Sequence, residues 1–230
     1  MNIKSHIPNT ITLLNLLSGV VGIIWVLNGN IVSGAYFIIL AAIFDFFDGF
    51  AARLLNVQGE LGKQLDSLAD LVSFGVLPGM ILFQMAKVET DIVWLPYLTL
   101  IVPMLSAMRL AKFNLDTRQS DRFIGLPTPA NALFISTLPY FSIEWPWIGT
   151  WLTSPFFLIG IAWTFAILLL AELPLIALKF KSYSLSANKF RYGLLAIGLT
   201  LILLFGLAGI PIVILAYLGL SLAENRISSE

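Results

Sequence analysis

Apolar residues run along this chain in long blocks, broken by short polar stretches such as Asn28-Gly29-Asn30 and Asn56–Glu60. Blocks of about 20 such residues match the hydrocarbon thickness of a bilayer when helical. The pattern predicts spans near Ile11–Leu27, Ile31–Leu55, Leu61–Met85, Ile92–Phe113, Pro129–Phe141, Phe156–Leu178, Tyr192–Leu207 and Ile210–Leu222. That makes about eight transmembrane helices, the fifth and last short. The runs are continuous rather than alternating, so a β-barrel is not expected. Asn28-Gly29-Asn30 follows the first run instead of a small-residue cleavage site, so Ile11–Leu27 reads as a retained helix. The expected fold is an all-α polytopic membrane helix bundle. It forms one domain over residues 1–230, with a core at about 7–180 and an additional helical hairpin at about 190–223.

Composition sharpens this. Of 230 residues 58% are hydrophobic and 11% charged, with mean hydropathy +0.91. Soluble domains carry about 25% charged residues, so an ordinary water-soluble globule is excluded. The formal net charge is zero, which gives no field to hold a nucleic acid. There are no cysteines and a single histidine, His6, so disulfides, thiol nucleophiles and histidine-based metal clusters are excluded. With the N-terminus in the cytoplasm and eight alternating spans, all 13 Lys and Arg except Lys87 fall on the cytoplasmic side. Trp25, Trp94, Trp145, Trp147 and Trp151 then collect at the outer interface. Both termini are expected in the cytoplasm, with the protein in the cell (inner) membrane.

Acids inside apolar spans are costly and rare. Asp45, Asp48, Gly49, Ala52 and Arg53 recur at i, i+3, i+4, i+7 and i+8, so a helix places them on one face. Gly62, Asp66 and Asp70 do the same on the next span. Antiparallel packing would bring the two faces together. Four carboxylates with one arginine call for divalent cations, and oxygen-only ligands favour Mg²⁺ or Mn²⁺. Two such ions suit phosphoryl transfer. Gly49, Ala52 and Gly62 leave room for a ligand, and Arg53 suits a phosphate. A buried ion-pair network and a cation-transport pathway are the competing readings of the same acids, although their clustering at one end of the spans disfavours a pathway.

The spacing Asp45-x2-Asp48-Gly49-x2-Ala52-Arg53-x8-Gly62-x3-Asp66-x3-Asp70 resembles the CDP-alcohol phosphatidyltransferase family at every fixed position of its signature. The resemblance implies a membrane enzyme that transfers the phosphatidyl group of a CDP-linked lipid to an alcohol and releases CMP. It implies metal ligation by Asp45, Asp48, Asp66 and Asp70, with Asp70 also the base that deprotonates the acceptor. It further implies a CDP-lipid site at Gly49, Ala52, Arg53 and Gly62, joined by Asn9 and Thr12 of the Pro8-Asn9-Thr10-Ile11-Thr12 segment. A homodimer is also implied.

Three stretches resemble the phosphatidylserine synthase branch: Leu13–Gly19 with its flank, Leu65–Pro78, and Arg109–Asn114 followed by Phe123–Pro129. The resemblance implies CDP-diacylglycerol and L-serine as substrates. Arg109 or Arg122 would bind the serine carboxylate, with Lys112 and Asn114 nearby. Another acceptor (glycerol phosphate, inositol) or an archaeal ether lipid is the alternative within the family. Glu172 sits in the sixth run, either facing the acceptor pocket or, the preferred reading, lying at the interface near Lys179.

Overall fold

The computed structural model describes residues 3–116, 123–177, 184 and 188–229. Helix α1 (His6–Leu27) turns through Gly29, whose φ of 91° suits glycine, into α2 (Gly34–Leu54). After a turn at Asn56 come α3 (Glu60–Asp70), a π-helical stretch (Leu71–Val76) and α4 (Leu77–Val88). Pro78 has no amide to return to the preceding turn, and the wider π turn lies immediately before it. A 3₁₀ lead-in at Leu95–Leu100 opens α5 (Ile101–Leu115). Then follow α6 (Thr128–Glu144), α7 (Pro146–Leu152), α8 (Pro155–Leu170), α9 (Lys189–Phe205) and α10 (Ile210–Ser229). Two short strands, β1 (Phe123–Ile124) and β2 (Pro174–Leu175), pair antiparallel with Phe123 opposite Leu175.

Burial on α1 reverses the soluble-protein rule. Pro8, Thr12, Asn15, Gly19, Gly22 and Val26 turn inward, while Leu13, Leu17 and Ile24 are exposed to the lipid side. Small residues allow close backbone approach where lipid offers large side chains as good an environment as the protein does. A Cβ on Gly19 would meet Ser73 Cα at 2.9 Å, and one on Gly22 would meet Phe37 Cβ at 2.8 Å. The α1–α2 hairpin thereby seats directly on α3, the π turn and α4. Phe74, Leu77, Ile81, Leu126, Ile135, Leu158 and Leu169 fill the centre, and Phe134 stacks on Phe165 with ring centroids 3.8 Å apart.

The architecture is all-α and polytopic, as the hydropathy pattern predicts. Among the described residues five helical segments are long and apolar enough to cross a membrane, six if the α7–α8 pair, bent by 82°, is one span. Each of the eight expected runs contains a helix, but length differs. The α6 helix has 17 residues, and α9 and α10 follow one another across a short break at Gly206–Gly209. The sixth run ends early, at Leu170 rather than Leu178. Ala171 is already extended, and Pro174 keeps Leu173 out of the α region. Glu172 therefore lies past the helix end and is exposed, not within a span. Lys179, its expected neighbour, is outside the described residues.

Candidate active site

Helix α2 carries Asp45, Asp48, Gly49, Ala52 and Arg53 down one face, and α3 answers with Gly62, Asp66 and Asp70. The carboxylates converge, with both helices packed on α1 rather than directly on each other. Asp45, Asp48 and Asp66 each offer a carboxylate oxygen, all within 4.8 Å of one another. Asp70 stands beside them, within hydrogen-bond reach of Asp45, and is buried. Buried Asp48 Oδ2 has no hydrogen-bond partner. Unpaired acids this close repel and are costly away from water. An all-oxygen donor set with an orphaned, buried carboxylate oxygen fits a divalent hard cation.

A cleft of about 260 Å³ opens beside the cluster, lined by Asn9, Thr12, Asp48, Gly49, Ala52, Arg53, Gly62 and Asp66 among others. Packing does not demand its glycines. A Cβ on Gly49 would come no nearer than 3.4 Å to Arg53 Nη1, and one on Gly62 would meet only Asn9 Oδ1, at 3.5 Å. Both would instead project toward the open space. The small residues thus keep the cleft wide. Arg53 is exposed at its mouth, and Thr12 is buried against Asp48, its hydroxyl donating to Pro8 O at 3.1 Å.

Sequence reasoning assigned no role to Asn15. Its side chain is fully buried and donates from Nδ2 to Asp70 Oδ1 at 3.1 Å, while Ser73 Oγ in the π turn donates to the Asn15 carbonyl at 2.9 Å. The available signal was the recurrence of Asn9, Thr12 and Asn15 along α1, every third residue on an otherwise apolar helix.

Of the residues expected near the acceptor, Arg109 is 8% exposed, donates from Nη1 to Thr128 Oγ1 at 2.9 Å and lies over the Phe113 ring at 5.0 Å. It lies within electrostatic range of Asp70. Lys112 is exposed one turn further on and lines the same small cleft as Arg109. Asn114 is engaged with α3: its Nδ2 donates to Ser67 Oγ at 2.8 Å, and its carbonyl accepts from Lys63 Nζ at 2.7 Å. It braces α5 on α3. Arg122 lies outside the described residues.

A polytopic helical bundle that gathers oxygen ligands beside a small-residue cleft defines an integral membrane protein with an acidic, metal-type site. The chain belongs to the CDP-alcohol phosphatidyltransferase family, whose pattern matches residues 5–168. It is similar to a CDP-diacylglycerol–serine O-phosphatidyltransferase of Bacillus subtilis, 36% identical over 59% of this chain and 76% of that protein. A protein of the same name from Mycobacterium leprae is 31% identical over 74% of this chain and 57% of its own length. An archaetidylserine synthase of Methanothermobacter thermautotrophicus is 34% identical over 57% of this chain and 56% of its own. The match thus spans little more than half of the last two relatives.

Proposed function

We propose that the protein transfers the phosphatidyl group of CDP-diacylglycerol to the hydroxyl of L-serine, giving phosphatidylserine and CMP. The observation that carries this reading is the convergence of Asp45, Asp48 and Asp66, with Asp70 against Asp45, beside a cleft kept open by Gly49, Ala52 and Gly62. Relatives that share serine as acceptor but differ in lipid support the choice of alcohol.

Asp45, Asp48, Asp66 and Asp70 would hold two divalent ions, Mg²⁺ or Mn²⁺. Such ions, when bound, neutralise the pyrophosphate and the departing CMP. The remaining roles belong to side chains. Asn9, Thr12, Gly49, Ala52 and Gly62 cradle the nucleotide, and Arg53 at the cleft mouth pairs with a phosphate oxygen. Asp70 takes the proton of the serine hydroxyl. The freed oxygen attacks the phosphorus bearing diacylglycerol, and the bond to CMP breaks. Arg109 is the basic residue assigned to the serine carboxylate, for which a guanidinium is suited. With Arg53 and the cleft at the cytoplasmic end, the lipid tails stay in the bilayer of the cell membrane. The working unit is a homodimer with both termini in the cytoplasm.

CMP release from detergent-purified protein tests the reading. Parallel reactions contain CDP-diacylglycerol and Mn²⁺ or Mg²⁺ with serine, glycerol 3-phosphate, inositol or no alcohol. Release with serine alone, abolished by a chelator and restored by added metal, is the expected result. Release with a different alcohol would keep the family and overturn the acceptor.

A further inference from the structure

A second polar cleft opens beside Arg109. It measures about 50 Å³ and is lined by Arg109, Lys112 and Asp116 of α5 and its end, Ile124 of β1, and Leu169–Glu172 at the end of α8. Resting on the serine reading above, we propose that this cleft binds the zwitterionic end of the acceptor, with Arg109 and Lys112 taking its carboxylate and Glu172 its ammonium.

Three observations carry the assignment. Arg109 is more than nine-tenths buried, yet one Thr128 hydroxyl and one aromatic face are its contacts among the described residues. A guanidinium has five donors, and no Arg109 nitrogen is both sealed from solvent and unpaired, so the donors that Thr128 leaves free open onto the cleft, where an anion can reach them. The cleft wall also sets two carboxylates, Asp116 and Glu172, around the two cations, and among the described residues no ion pair joins Glu172 to either. Opposite charges held apart around one opening suit a ligand that carries both. Its volume accommodates roughly three to five water-sized centres, the scale of an amino acid's charged end and far below a nucleotide.

The third observation is how firmly the wall is built. Gly125 N donates to Leu173 O and Leu126 N to Leu168 O, both at 2.9 Å. Helix α10 then grips the chain just beyond Glu172. Tyr217 Oη donates to Ile176 O at 3.1 Å, Ile176 N donates to Ser221 Oγ at 3.1 Å, and Asn225 Nδ2 donates to Pro174 O at 2.6 Å. These three residues recur every fourth position, so one face of α10 holds the segment carrying Glu172. That helix lies beyond residue 168, where the family match ends. The acceptor wall is therefore braced by the part of the chain that the match does not include.

Steady-state kinetics of Glu172→Gln and Glu172→Asp, with serine and with 3-hydroxypropanoate, which lacks the ammonium, test this. The wild type should use serine and reject 3-hydroxypropanoate. Glu172→Gln should raise the serine KM at least tenfold, leave the CDP-diacylglycerol KM within twofold, and narrow the preference for serine. Glu172→Asp should fall between the two. CDP binding by titration calorimetry should match the wild type, which shows that the variant is folded. An unchanged serine KM in a wild-type-like Glu172→Gln protein would overturn the cleft assignment alone. A wild type that releases no CMP with serine would overturn the proposed function, and the ligand assigned here with it.

Discussion

The two sides of the site are built differently. The proposed donor side is local: α2 and α3 carry its acids at helical spacing, a short turn joins them, and α1 packs on both. The acceptor side is assembled from distant pieces. As proposed, it draws on Arg109 from α5, Thr128 from α6, a two-stranded ribbon and a clamp from α10. Chemistry shared across a family can be stored in one short stretch. On the assignment proposed above, selection of one alcohol from many would be stored in the tertiary contacts that wall the second pocket.

The sharpest break between the two sides should come from Asp70→Asn. Loss of a general base costs about two to four orders of magnitude in rate. CMP release should fall by that factor while CDP binding by calorimetry persists. Next is Arg109→Ala. A hydrogen bond to a charged group contributes about 1.5–3 kcal/mol, so the serine KM should rise by roughly 10- to 100-fold with little change for CDP-diacylglycerol. A rise in both would dissolve the distinction between the sides. Asn15→Ala sharpens it from the donor side. It removes the amide that orients Asp70, so kcat should fall by roughly tenfold with both KM values held, a split that a mere loss of packing would not produce.

Smaller effects belong to the ribbon and the clamp. Gly125 has φ of 77°, and a Cβ there would meet Leu169 O at 2.5 Å. Gly125→Ala should lower the unfolding midpoint and raise the serine KM several-fold, since the strain falls on the wall of the acceptor cleft. Ser221→Ala removes one hydrogen bond to Ile176 N, worth about 1 kcal/mol. Its serine KM should rise by a few-fold and its nucleotide affinity should not move.

The same division explains what was legible in the sequence. Asp45, Asp48, Asp66 and Asp70 could be placed together because an i, i+3, i+4 pattern dictates a helix face and the intervening turn is short. The apolar blocks gave the class of fold for the equally simple reason that hydrocarbon thickness sets helix length. Hydropathy alone misplaced the end of the sixth run, because Ala171–Ala177 is apolar enough to extend a span while Pro174 prevents it from being helical. The β1–β2 ribbon left no trace, since two-residue strands have no period to detect. Asn114 was read as helping to bind serine; its bond to Ser67 joins the end of α5 to α3, a meeting that no local pattern encodes. For Glu172 the sequence left two readings, the acceptor pocket and the interface near Lys179, and only the cleft it shares with Ile124 and Arg109 favours the first.

The π turn after Asp70 has a consequence for register. An α-helix that begins with its acids toward the cleft would carry that face straight on through the bilayer. The wider turn at Leu71–Val76 advances each side chain by a smaller angle, so the segment changes gear between its chemical end and its packing end. Asp66 and Asp70 can then face the carboxylate cluster while Leu77 and Ile81 face the centre of the bundle. Deleting a single residue from this stretch would restore the ordinary pitch and leave one of the two ends turned the wrong way. One length of chain meets two orientations because it does not keep a constant thread.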